Sequence, residues 1–70
     1  MSILEFEETE IGVSCATTPI GIMRIEEHTA GATLLFIGEN TTRQLCTAES
    51  FDLAVLFAKA WVKVELVNAI

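Results

Sequence analysis

The segment FDLAVLFAKAWVKVELV, Phe51 to Val67, constrains this chain more than any other. At about 100° per residue, Asp52, Lys59 and Lys63 fall in one narrow stripe. Apart from Glu65, almost every other direction is apolar. One set holds Phe51, Val55, Ala58 and Val62; a second holds Phe57, Trp61 and Val64; a third holds Leu53, Ala60 and Val67. A helix lying on a sheet buries an arc of roughly 120–160°, about the width of one amphipathic face. The apolar arc here is wider, so one outer set needs cover that a single sheet does not supply. Leu53, Phe57, Trp61 and Val64 are the residues expected to carry self-association.

Length sharpens that demand. Seventy residues make one small domain, spanning residues 1–70. Such a chain buries a modest share of its surface and is marginally stable alone. Proteins of this size commonly add a disulfide, a metal or a partner subunit. Yet 51% of the residues are hydrophobic, and the mean hydropathy is +0.51. With so little polar material to cover a large relative surface, a homo-oligomer is expected, a dimer above all.

Ten acids against four bases leave a net charge of −6. Phosphate backbones are held by Lys and Arg, so nucleic acid is a poor partner for such a chain. A protein partner with a basic surface suits it better. The start MSILEFEETE has no basic segment and carries acids within any apolar run, so no secretory leader is expected. The long apolar segment is interrupted by four charges and is not expected to span a membrane. A cytoplasmic location follows. In that compartment Cys15 and Cys46 are expected to be free and packed in the core rather than bridged.

Alternation marks the rest of the chain as strands. In residues 1–8, Leu4 and Phe6 share one face, while Glu5 and Glu7 share the other. Ile11, Val13 and Cys15 take one face of the next run. Apolar parity switches between Phe6 and Ile11, which requires a turn or bulge, expected at residues 7–10. Pro19 breaks the run. Residues 20–27 resume it, and a turn follows at Gly31. Residues 32–38, ATLLFIG, are apolar on both faces and read as a strand covered on both sides. Residues 42–46 form a further short strand. Thr47, with Ser50 as the alternative, is a helix N-cap candidate, and the helix is expected over 48–67. The fold class is therefore α+β: an antiparallel meander of four or five strands, then one long C-terminal helix packed on the sheet.

Chemistry-bearing motifs are sparse. Glu26 and His28 converge at a strand end, but two ligands do not make a metal site. Neither cysteine has a His placed to activate it. No Gly-rich phosphate loop is present. Neither enzyme activity nor a cofactor is expected. Glu5, Glu7, Glu8 and Glu10 crowd into six residues with no base before Arg24. Like charges on a strand cost stability. They either guard an edge against sheet-to-sheet aggregation or form the partner-binding surface.

The expected function is that of a non-enzymatic, small acidic interaction protein that self-associates and binds a protein partner. Its size, charge and simplicity fit phage or mobile-element accessory factors, including inhibitors of host defence complexes. Two alternatives stand beside it. The order of a strand meander followed by one long helix resembles the single-stranded-DNA-binding transcriptional coactivators, which implies a dimer with paired helices and nucleic acid on the sheets. Against it, only Arg24 and Arg43 lie on strands, and stacking aromatics there are limited to Phe6 and Phe36. The other alternative is a purely structural assembly subunit.

Overall fold

The structure is a computed structural model and describes residues 4–68. Five strands, β1 (Glu7–Glu10), β2 (Val13–Thr18), β3 (Gly21–His28), β4 (Gly31–Ile37) and β5 (Thr42–Ala48), precede one helix, α1 (Phe51–Asn68). The strands form one antiparallel sheet in chain order, a five-stranded meander. The helix packs on β3, β4 and β5. The α+β fold expected from the sequence is the fold observed. The part of the opening segment before Leu4 lies outside the described residues.

The turns follow from local chemistry. Between β2 and β3, Pro19 and Ile20 form a two-residue connection. The Thr18 hydroxyl accepts from the backbone N–H of Ile20 (3.2 Å) and Gly21 (3.1 Å) and donates to the Gly21 carbonyl (2.7 Å). The β3–β4 turn ends at Gly31, whose φ of 141° disfavours any side chain. A Cβ there would also collide with the Ala48 carbonyl. Gly31 thus lets the start of β4 and the end of β5 approach closely.

Three local expectations are corrected. The first connection is not a hairpin turn at residues 7–10; these form β1 itself, and the bulge alternative is the one observed, between Glu8 and Glu10. The chain turns at Ile11 and Gly12, where Gly12 takes a φ of 79°. The parity switch arises from a bulge between Glu8 and Glu10 together with this turn, which leaves Ile11 99% exposed. Acids tolerate β1 because it is an edge strand open to water.

The second correction concerns β2, where Val13 and Cys15 lie on the face away from the helix. Ser14 and Ala16 are the buried residues. Register decides this: Ser14 pairs with Ile25 and Ala16 with Met23, and those two must face the helix. The third concerns the helix start. Ser50, not Thr47, is the cap: its Oγ accepts from the Leu53 N–H at 3.2 Å, and α1 begins at Phe51. Ala48 still belongs to β5 and is buried there.

The core lies between sheet and helix. Met23, Ile25 and Leu34 are its largest fully buried side chains. Each contributes roughly 1.5–3 kcal/mol by leaving water. Against them the helix sets Ala54, Ala58 and Val62, spaced by four residues and all buried. Small residues on this stripe bring the helix axis close to the sheet. Phe36 and Trp61 close one flank with ring centroids 4.9 Å apart. Phe6 meets Phe51 edge-on at 6.3 Å, docking the segment before β1 onto the helix start.

Candidate functional site

α1 sets Ala54, Ala58 and Val62 inward, with Phe51, Val55, Trp61 and Leu66 packed beside them, and leaves a second apolar face outward. Leu53, Leu56, Phe57, Val64 and Val67 are all exposed, from 38% at Leu53 to 64% at Val67. They account for five of the seven exposed large hydrophobic residues in the described chain, so uncovered apolar surface is concentrated on this one helix face. Ala60 is exposed between them. The surface left open is on the order of 400–500 Å2, within the range of the largest apolar patch on a typical monomer, a patch that is often functional.

Of the four residues expected to carry self-association, the structure brings Leu53, Phe57 and Val64 together on this face. Trp61 is set apart: it is half-buried at the flank against Phe36. Sequence reasoning missed Leu56 and Val67 as members of the patch. Val67 stood in the apolar set with Leu53 and Ala60, and its signal was the spacing Leu53, Phe57, Ala60, Val64, Val67, which alternates four and three residues like a coiled-coil seam; Leu56 lies beside that seam.

The sheet face away from the helix is less demanding than its sequence implies. Leu35 and Ile37 are half-buried there, and Ile22 is its one exposed large hydrophobic residue among the described residues. Polar neighbours dilute the rest. One row runs Glu7, Cys15, Arg24, Leu35, Gln44. Arg24 Nε stands 2.9 Å from Glu26 Oε2, an ion pair by distance that misses hydrogen-bond alignment. At this exposure it is worth at most about 1 kcal/mol. Antiparallel sheets commonly leave such a mixed face in water.

The four acids expected to meet a partner are all exposed. Glu7, Glu8 and Glu10 lie on β1, and Glu5 just before it. Their strand partners on β2 are Cys15, Ser14 and Val13, so no cation neutralises them across the pair. Strand alternation divides them between faces, and the bulge sets Glu10 with Val13. Glu5 and Glu7 line one shallow hollow with Cys15 and Thr17, while Glu8 shares the helix side with Ser14. The result is an anionic rim rather than a converging pocket.

The remaining candidates are separate. Cys15 and Cys46 are both free and half-buried. They lie on opposite sheet faces, on strands divided by two others, beyond disulfide reach. His28 Nε2 lies 2.9 Å from Thr33 Oγ1, an exposed contact across the β3–β4 pair. Among the described residues no three His, Cys, Asp or Glu side chains converge as metal ligands. Phe6 and Phe36 both pack toward the helix, so the open sheet face offers no aromatic for base stacking among the described residues. No described helix is long and apolar enough to cross a membrane. Comparison with known protein families, characterised proteins and solved structures finds no match.

Proposed function

We propose that this chain is a non-enzymatic interaction protein that pairs with a second copy through the outer face of α1. Its acidic rim, Glu5, Glu7, Glu8 and Glu10, then meets a basic surface on a protein partner. The observation that carries this reading is the helix's second apolar face: Ala54, Ala58 and Val62 meet the sheet, while Leu53, Leu56, Phe57, Val64 and Val67 stand toward solvent. Leaving these side chains in water forfeits stabilisation that a small core cannot replace. A matching surface recovers it. The net charge of −6 supports solubility while the apolar face is open and draws a cationic partner.

Work as an accessory or inhibitory factor inside a cell, of the phage or mobile-element kind, is compatible with this reading. It rests on size, charge and simplicity. The test is twofold. Light scattering should give a dimer that Phe57→Glu dissociates. A bound protein partner should be released by about 0.5 M salt, where the Debye length falls below about 5 Å. It should also be lost when all four rim glutamates become glutamine. A dimer that retains its partner in that quadruple variant would leave the pairing intact and remove the rim's role.

Single-stranded nucleic-acid binding has less support. Phe6 and Phe36 pack toward the helix, and Arg24 is engaged by Glu26, which leaves Arg43 as the one exposed arginine on the sheet. Stacking platforms and free cations are what such binding needs.

A further inference from the structure

Resting on the self-association reading above, we propose that the two α1 helices pair antiparallel, with a two-fold axis passing between Phe57 and Ala60. The outer seam is Leu53, Phe57, Ala60, Val64 and Val67, and all five are exposed. Such a seam seats side chains among residues of the facing helix; with this axis Leu53 to Val64 are the seated positions, and Val67 lies at the facing helix's start. Its side chains differ in size along the helix, and that difference selects the orientation.

In a parallel pair each residue meets its own copy. Phe57 would face Phe57, and one turn on Ala60 would face Ala60. One layer is overfilled and the next is a void, and packed interiors tolerate neither. Antiparallel pairing about an axis between Phe57 and Ala60 sets Phe57 against Ala60 of the second copy, and Leu53 against Val64. Every central layer then joins a larger side chain to a smaller one, and each pairing occurs twice by symmetry.

Charge favours the same arrangement. Asp52 and Lys63 lie on one flank of the seam, eleven residues and about 16 Å apart along the axis. They cannot meet within one chain. Two-fold antiparallel pairing brings this flank against its own copy, so Asp52 comes within about two residues' rise of Lys63 on the second copy. Lys59, seven residues from Asp52 on the same stripe, sits about six residues' rise from Asp52 of the second copy. Parallel pairing offers Asp52 no cation and offers Lys63 only Glu65, half-buried toward the sheet. Antiparallel helices also set their macrodipoles in opposition.

Area sets the strength. The apolar patch is on the order of half the roughly 800 Å2 that each side of a standard interface buries. The stems of Lys59 and Lys63 and the exposed edge of Trp61 extend it. The assembly is a four-layer stack, sheet–helix–helix–sheet, with both acidic rims on its outside.

Cysteine cross-linking tests the orientation. In a background with Cys15 and Cys46 replaced by alanine, L53C/V64C is oxidised and run without reductant. The proposal expects a covalent dimer from this pair and none from L53C or V64C alone, whose copies lie about 16 Å apart. A covalent dimer from either single variant would mean parallel pairing. That overturns the proposal and leaves self-association standing. A monomer in solution at all concentrations would overturn self-association itself. If the alanine background does not fold, charge reversal decides. D52K and K63D should each weaken dimerisation at least threefold, and D52K/K63D should restore it; no restoration would overturn the proposal.

Discussion

Trp61 lies against Phe36 with ring centroids 4.9 Å apart and planes tilted by 46°. This contact ties the second half of α1 to β4 and separates the helix's two apolar jobs. Trp61 serves the fold, and the outer face that begins one turn away at Phe57 serves the proposed pairing. Trp61→Ala should therefore cost about 2–3 kcal/mol of folding stability, less than a fully buried tryptophan, by loss of packing and of the ring pair. Urea unfolding followed by circular dichroism measures it. The variant should still dimerise under native conditions.

Phe57→Glu should do the reverse. Phe57 is 48% exposed, so in the isolated chain the substitution removes little packing, and monomer stability should change by about 0.5 kcal/mol or less. In the dimer it places a carboxylate in the central layer, and burial without a partner is costly. Sizing should show monomers with an unaltered far-ultraviolet spectrum.

Gly31→Ala should be among the most damaging single changes. It combines a φ of 141° with a Cβ driven into the Ala48 carbonyl. Backbone strain of this kind costs of order 1–3 kcal/mol before the collision is counted. Thermal melting should show a large fall, whereas Gly12→Asn, at a φ of 79° where a Cβ would make only ordinary contact with the Glu27 carbonyl at 3.5 Å, should cost far less because asparagine tolerates that region.

The rim acids distinguish two roles by separate readouts. Neutralising Glu7, Glu8 and Glu10 to glutamine should leave the fold intact and relieve like-charge repulsion along β1. If the rim serves only to guard the edge, the variant should aggregate with concentration. If it serves a partner, salt-sensitive binding should disappear while the protein stays dispersed.

Much of the architecture was legible in the sequence because its signals were local. Alternation marked the strands, Pro19 and Gly31 marked turns, and the length of the apolar segment marked the helix. The errors came where a neighbour decides. Val13 and Cys15 alternate like core residues, yet pairing of Ser14 with Ile25 turns them to the open face. Cys46 and Gln44 share parity, yet the bulge opposite Leu34 and Leu35 sends them to different faces. Periodicity also showed that the helix was too apolar for one sheet. It did not show which side met the sheet, because that depended on how closely Ala54 and Ala58 let the helix approach. Leu56 and Val67 joined the outer patch as a consequence.

The mass of the particle in solution tests the central claim most directly. Light scattering behind a sizing column, loaded from about 1 μM to about 1 mM, spans the range in which an interface of this area should associate. A mass rising to a plateau at twice the 7.6-kDa chain is the result predicted. A constant 7.6 kDa across that range would contradict it.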